Sequence, residues 1–256
     1  MKIKVLVAAH KPYEMPNDNQ VYIPIFVESK LHSQIPENYV SDGTGDNISL
    51  KNPHFNELTA LYWGWKNLDC DALGLVHYRR YLTENHIPRR NLNEILTAQQ
   101  IENLFQNNDI IVPKKRHYYV ESNYEHYIHV HYPEPLKQAR RIISQEYPAY
   151  LSAFDLVMHR KSAHMFNMFI MKRKPLNAYC TWLFDILFKL EGCIDITGYD
   201  KYETRVFGFV SEVLLDVWLE KTKYVYVEEK VLYLEGQNYL KKGFEMLQRK
   251  FNPIHD

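Results

Sequence analysis

Several common constructions are missing from this sequence. Cysteine is scarce: Cys70, Cys180 and Cys193 form an odd set without C-x-x-C spacing. They give no support to a disulfide framework or a structural zinc site and fit a reducing cytoplasm. The opening run Met1-Lys2-Ile3-Lys4-Val5 soon meets His10, Lys11 and Pro12, so it is neither a signal peptide nor a membrane span. An excess of charge of either sign is also absent. The 31 basic and 31 acidic side chains cancel, which removes the long-range field that concentrates a protein on nucleic acid. There is no H-E-x-x-H, no G-x-S-x-G and no Walker glycine loop, so the hydrolase and P-loop readings lack their minimum parts. Repeats, low-complexity tracts and linkers are missing too.

What is present is an ordinary globular composition, with 46% apolar and 24% charged residues, enough to bury one large core. The apolar run from Lys2 to Ala9 predicts a buried first strand feeding a functional loop, and a second strand is expected around Val21 to Glu28. The Gly-, Asn- and Asp-rich stretch from Ser41 to Pro53 predicts a long loop. Asn52-Pro53 then opens a helix through Leu58, Leu61 and Trp65. Ala72 to His77 predicts a strand, Thr97-x-x-Gln100 a capping box, and Asp109 to Val112 another strand. The second half is helix-rich. A strand is expected over Phe166 to Met171, with helices over Leu176 to Leu190 and Arg205 to Glu220. A late strand pair covers Lys223 to Glu228 and Val231 to Leu234, and a terminal helix Tyr239 to Phe251. The expected fold is α/β: one domain over 1–236 with a mainly parallel central sheet and flanking helices, followed by a helix and tail over 237–256. In such sheets ligands bind at the carboxyl ends of the strands, here after Ala9, His77 and Val112.

His77-Tyr78-Arg79-Arg80-Tyr81 begins where one strand ends. Guanidinium groups there are placed to chelate the oxygens of a diphosphate, although a solvated basic turn has the same composition. Asp69-Cys70-Asp71 matches the D-x-D pattern that holds divalent cations in many glycosyltransferases, but it precedes its strand and reads as a structural turn. His117, His126, His129 and His131 crowd one segment. His126 and His129 share a helical face whereas His129 and His131 share a strand face, so no single conformation presents these last three as zinc ligands. Glu57, Asp185, Asp195 and Glu212 are the carboxylates available to deprotonate an acceptor hydroxyl. Helical periodicity sets Glu212 with Asp216 and Glu220 on a polar stripe opposite Val210, Leu214 and Val217, which alone reads as surface.

Together these segments resemble the glycosyltransferase family of capsular and exopolysaccharide gene clusters labelled domain of unknown function 4422. The resemblance is carried by Ala8-Ala9-His10-Lys11, by Asp46-Asn47-Ile48-Ser49-x-Lys51-Asn52, and by Glu57-Leu58-Thr59-Ala60 with Tyr62-Trp63-x-Trp65-Lys66-Asn67. Downstream it continues through the H-Y-R-R-Y box, Asn167-Met168-Phe169-Ile170-Met171 and Arg205-x-Phe207-Gly208-Phe209-x-Ser211-Glu212. It implies a GT-A-like fold, a UDP-sugar donor such as UDP-galactofuranose or UDP-galactose, and a lipid-linked oligosaccharide acceptor. Ala8, His10, Lys11, Tyr13, Asp46, Asn47, Asn52, Glu57, Thr59, His77, Tyr78, Arg79 and Arg80 would form the donor side, with Tyr13 stacking on uracil. Asn167, Arg205 and Ser211 would shape the acceptor side, and Glu212 would be the base of an inverting transfer. The arginine pair would replace a metal partly or wholly, leaving manganese as an optional cofactor.

Two rival readings remain: a non-catalytic nucleotide- or glycan-binding partner of a synthase complex, and a metal-dependent hydrolase using the histidines. With a lipid-linked acceptor, the basic amphipathic pattern of Leu240, Lys241, Lys242, Phe244, Leu247, Arg249, Lys250 and Phe251 suggests weak association with the inner face of the plasma membrane.

Overall fold

The computed structural model describes residues 1–87 and 89–235. Its elements in chain order are β1 (Ile3–Ala9), β2 (Tyr22–Phe26), β3 (Val40–Ser41), α1 (Asn52–Phe55), α2 (Leu58–Asn67), β4 (Ala72–His77), β5 (Arg80–Thr83), α3 (Ala98–Leu104) and β6 (Ile110–Pro113). There follow β7 (Arg116–His117), α4 (Asn123–Val130), α5 (Pro133–Glu146), α6 (Leu151–His159), β8 (Ser162–Ala163), β9 (Phe169–Lys172), α7 (Arg173–Glu191), α8 (Val206–Thr222) and β10 (Tyr226–Tyr233). The terminal helix expected over Tyr239 to Phe251 lies outside the described residues. Among the described residues no helix is long and apolar enough to cross a membrane.

The first strand shows why its sequence is apolar without alternation. Leu6 and Ala8 join one hydrophobic core, while Ile3, Val5 and Val7 join a second on the other side of the sheet, so both faces are covered. β1 pairs in parallel with β2 and β4, and β2 with β3. Beyond β4 the expectation of a mainly parallel sheet fails. β4 pairs antiparallel with both β9 and β5, β9 antiparallel with β6, β6 parallel with β10, and β10 antiparallel with β5. The sheet is therefore mixed, and these five strands close a circuit beside the open parallel part. Its closure needs tight contact at Gly74, where an added Cβ would stand 2.8 Å from the Ile170 side chain and 3.0 Å from the Phe169 carbonyl.

Four local expectations also change. The helix expected from Asn52 is broken into α1 and α2 by Asn56, whose φ of 49° lies in the left-handed region, and Asn52 is its first residue rather than its cap. The strand expected from Phe166 starts only at Phe169, because Phe166 and Asn167 both have positive φ. The late strand pair is one continuous strand, β10, held by ladders to β6 and β5. The segment between β6 and β9, which sequence left without elements, holds α4, α5 and α6. The predicted capping box is present, with Thr97 and Gln100 capping α3, and Ser122 and Glu125 cap α4 in the same way.

Candidate active site

The carboxyl ends of β1, β2 and β4 open into a cleft of about 480 Å³. From β1 come Ala8, Ala9 and His10, and from the β4–β5 hairpin come His77, Tyr78, Arg79 and Arg80. Residues 77 and 80 pair across that hairpin, so Tyr78 and Arg79 form its turn. Four cations (Arg79, Arg80, Lys201 and Arg205) face three carboxyl groups (Glu28, Glu57 and Glu212) across the cleft. Arg80 lies over the Phe166 ring, with its guanidinium carbon 4.2 Å from the centroid. Its buried Nε has no partner among the described residues. Burial, and then Arg79, lower its pKa from the ordinary arginine value, the electrostatic mark of a site suited to an anion.

Glu212 projects from α8 into the same cleft. Its carboxyl is pushed up to about 7 by burial first and by the Glu57 charge second, against the opposing pull of the Phe166 backbone N–H, Arg80 and Arg205. Of the polar stripe that periodicity assigns to the surface, Glu212 thus faces the cleft, while Asp216 is buried against His164 and Glu220 pairs with Arg160. Glu57 is held in turn by Asn167, whose Nδ2 donates to Glu57 Oε1 at 2.7 Å and to the Gly208 carbonyl at 3.1 Å. Ser211 Oγ donates to Asn167 Oδ1 at 2.8 Å. Asn167 and Ser211 are consequently buried behind the cleft and orient Glu57 instead of lining the space themselves. Arg205 does line it, and its Nε donates to Asn56 Oδ1 at 2.8 Å.

The backbone at Phe166 and Asn167 has φ of 77° and 50°. Asn tolerates this region, whereas for Phe it is strained. Three contacts hold the turn: the Asn167 bonds, the Arg80 stack, and the His77 Nε2–H, which donates to the Phe166 carbonyl at 2.6 Å. Burial keeps the His77 pKa below its ordinary value despite Glu57 nearby, so its ring acts as a neutral donor.

The remaining donor-side candidates divide. Asn52 and Glu57 line the cleft, but Thr59 is buried, and Asp46, Asn47 and Lys11 do not reach its walls. Asp46 is tied to the end of α2, its N–H donating to Asn67 Oδ1 at 3.1 Å, and Asn47 braces its own loop through the Gly43 and Gly45 carbonyls. Tyr13 stacks on Tyr78 with centroids 3.6 Å apart, so one face of its ring is already taken. Sequence reasoning missed Asp42. This fully buried carboxyl accepts from the Glu28 and Ser29 N–H groups and from the hydroxyls of Ser29, Ser49 and Thr59. It fastens the loops carrying Glu28, Asn52 and Glu57 around the cleft. Its only sequence signal is an Asp-Gly pair in a polar loop, which marks many simple turns.

Of the four candidate carboxylates, Asp185 instead accepts from the Tyr147 hydroxyl at 2.6 Å, and Asp195 caps an exposed turn at Thr197. Asp69 and Asp71 stand before β4, where Asp71 accepts from the Lys2 N–H and Asp69 pairs with Lys2 Nζ at 3.6 Å, as a structural turn should. His126 and His129 of α4, with His131 just after it, line an adjoining bay that shares Arg79, Arg80, Arg205 and Glu212 with the cleft. His126 and His129 both meet buried Glu121, at 3.2 and 3.1 Å, while His131 turns to Glu203 at 3.1 Å. Among the described residues no three His, Cys, Asp or Glu side chains are grouped as a metal site would need.

The family model described as a domain of unknown function, DUF4422, matches residues 4–223. The chain belongs to this family. No curated protein matches it. Among solved structures it is similar to the apo structure of the bifunctional glycosyltransferase WbbM, with 27% identity and a TM-score of 0.82. The match covers 92% of this chain and 46% of WbbM, so the chain spans less than half of that protein.

Proposed function

We propose that this chain is a glycosyltransferase that moves a sugar from a UDP-sugar donor to a lipid-linked oligosaccharide in capsule, exopolysaccharide or O-antigen synthesis, with inversion at the anomeric carbon. The family resemblance favours galactofuranose or galactose as the sugar. The observation that carries the reading is the meeting, in one cleft, of the Arg79–Arg80 pair and a carboxyl group whose pKa is raised to about 7. Likeness to a bifunctional glycosyltransferase over nearly the whole chain supports it.

In this reading the nucleoside diphosphate lies at the β1 and β4 ends, with its oxygens toward Arg79 and Arg80. Ionised Glu212 takes the proton of the acceptor hydroxyl, and that oxygen attacks the anomeric carbon from the face opposite the diphosphate. The bond from that carbon to the β-phosphate oxygen breaks, and UDP departs with its growing charge facing two guanidinium groups. A base with a pKa near neutrality combines a useful ionised fraction with real basicity. Neutral His77 and the strained Phe166 turn hold Arg80, and Asn167 holds Glu57, so the charges are arranged before substrate arrives.

A panel of nucleotide sugars tested for thermal stabilisation, followed by product analysis with the best of them, checks the proposal. A ligand that binds only the native state raises its apparent stability. UDP-sugars should raise the melting temperature, and transfer should proceed in EDTA because the arginine pair offsets leaving-group charge. Indifference to every UDP-sugar would remove the reading. Activity lost in EDTA and restored by manganese would replace the arginine pair with a metal as the main leaving-group support.

A further inference from the structure

The bay beside the cleft has a volume of about 410 Å³. The chain leaves its wall at Arg116, in β7, and returns to it at Glu121. Between these two points Tyr118 is buried, whereas His117, Tyr119 and Val120 are exposed. The loop is braced from behind. β7 pairs with β8, the Tyr118 N–H donates to the Lys161 carbonyl at 2.9 Å, and the Asn123 N–H donates to the Arg160 carbonyl at 2.7 Å. Tyr119 therefore stands on the outside of a short, fixed loop whose two ends belong to the bay.

Two features of this loop are unusual for a surface that meets only water. Tyr119 is 82% exposed and its neighbour Val120 is 53% exposed. The Val120 N–H donates to the Tyr118 carbonyl at 2.7 Å, which closes a tight turn around Tyr119 at a φ of 62°. A bulky residue is strained in that region, and such strain marks positions where the displayed side chain has a use. The surrounding charge is mainly positive. Lys114, Arg116 and Lys161 are exposed, and Lys161 Nζ reaches the Tyr119 carbonyl at 3.5 Å. The carboxylates nearby are engaged: buried Glu121 by His126 and His129, and exposed Glu125 by the Ser122 N–H and hydroxyl at the start of α4. Glu228 and Glu229 are half-buried in β10, beside Lys115 and Lys114. Since the whole chain carries no net charge, this is a local basic patch with two apolar side chains at its centre.

We propose that the loop over 114–120, with Lys161, is a docking surface for an anionic lipid bilayer. Tyr119 and Val120 enter the headgroup region, where an aromatic ring with a polar tip is favoured, and Lys114, Arg116 and Lys161 meet the lipid phosphates. Docking in this way holds the bay, and Glu212 within it, next to the membrane surface. An acceptor tied to a lipid is presented there, a consequence that rests on the sugar-transfer reading of the cleft, whereas the docking itself rests on the loop alone. The surface is separate from the basic segment over 240–251, so the two can be substituted independently.

The test is co-sedimentation of the full chain with vesicles of phosphatidylcholine alone and of an equal mixture of phosphatidylcholine and phosphatidylglycerol, at low and high salt. The parent should bind the mixed vesicles at low salt and lose about tenfold or more in affinity at high salt. Tyr119→Asn with Val120→Ser, and separately Lys114→Gln with Lys161→Gln, should each weaken binding by about tenfold. Asparagine tolerates positive φ, so the melting temperature should stay near the parent value. Tyr119→Trp should keep the binding, and its added fluorescence should be quenched by lipids brominated in the acyl chain. Absence of binding by the folded parent, binding unchanged in both loop variants, or no quenching beyond that of the parent overturns the proposal. Binding lost only when Lys241, Lys242, Arg249 and Lys250 are all changed to Gln also overturns it, by moving the contact to the terminal segment. UDP titrated into the same samples separates the readings: UDP binding without vesicle binding removes only the docking surface, and vesicle binding without UDP binding removes only the sugar-transfer reading.

Discussion

The sheet wall of the cleft and the helical wall of the bay beside it are built by different means. The sheet wall, from the ends of β1, β2 and β4, is set by backbone ladders and by one fully buried carboxyl, Asp42, which gathers two N–H groups and three hydroxyls from nearby loops. The helical wall is set by side chains far apart in sequence. His126 and His129 meet Glu121, His131 meets Glu203, and His164 donates to Asp216 at 2.5 Å while contacting Glu228 at 3.2 Å. The sheet wall should respond most to loss of its buried hub, whereas the helical wall, where burial of His164 is outweighed by hydrogen bonds to Asp216 and Glu228 that raise its pKa, should respond to pH as well. Glu212 stands between them and reports on both.

The largest expected effect is at that junction. Glu212→Gln keeps the size of the side chain but removes the proton acceptor, and should lower the transfer rate by about 10²- to 10⁴-fold with donor binding retained. The parent rate should rise with pH through about 7 as Glu212 ionises. The same substitution should raise stability. A carboxyl raised from 4.5 to about 7 by folding favours the native state fully below pH 4.5 and loses that contribution as pH rises to about 7. Above pH 7 the Gln variant should therefore be more stable than the parent by about 1–3 kcal/mol, with the gain absent below pH 4.5. Chemical denaturation at pH 4.5 and 8 checks the sign. Transfer near the parent rate, or a variant less stable at pH 8, would contradict the placement of this group.

Next comes the sheet wall. Asp42→Ala leaves buried donors without an acceptor and should cost about 3 kcal/mol or more of unfolding free energy. An effect under about 1 kcal/mol would mean that the loops hold their shape without this hub. The helical wall should give the smallest effect, visible mainly as a slope. Burial alone would lower the His164 pKa, but its hydrogen bonds to Asp216 and Glu228 outweigh this and raise it. Its stabilising contribution is present below its ordinary value of 6.5 and is lost as pH rises through the higher folded value. The stability difference between the parent and His164→Gln should thus shrink from pH 6 to pH 9, and a difference that grows would reverse the assignment.

The same contrast explains what could be read from sequence. β1, β4, β6, α7 and α8 carry period and apolarity that survive into the structure with shifts of a few residues at most. The H-Y-R-R-Y box was legible because its chemistry follows a strand directly. By contrast β10 reads from sequence as two strands because Glu228-Glu229-Lys230 interrupts the apolar pattern, and its ladders to β6 and β5 make it one. The circuit through β5, β6, β9 and β10 depends on pairings no local pattern encodes, so the parallel sheet was overestimated. Glu212 was ambiguous for a physical reason: a polar helical stripe faces either water or a polar cleft, and periodicity does not distinguish them. Asn167 and Ser211 were singled out as site residues, yet they stand one layer back, where Ser211 bonds Asn167 and Asn167 bonds Glu57. Asp42 and the pairs of the helical wall exist only once distant segments meet.

The most direct test of the account is calorimetric titration of UDP into the parent and into Arg80→Ala, both in EDTA, with melting temperatures recorded on the same samples. Arg80 is half-buried over Phe166 with an unpartnered Nε, and the account makes it the centre of the diphosphate site. The parent should bind UDP without added metal, and the variant should bind at least about tenfold more weakly, the loss of one charge-assisted hydrogen-bonding group, while its melting temperature stays near the parent value. Equal affinity in parent and variant, or no UDP binding by the folded parent, would contradict it.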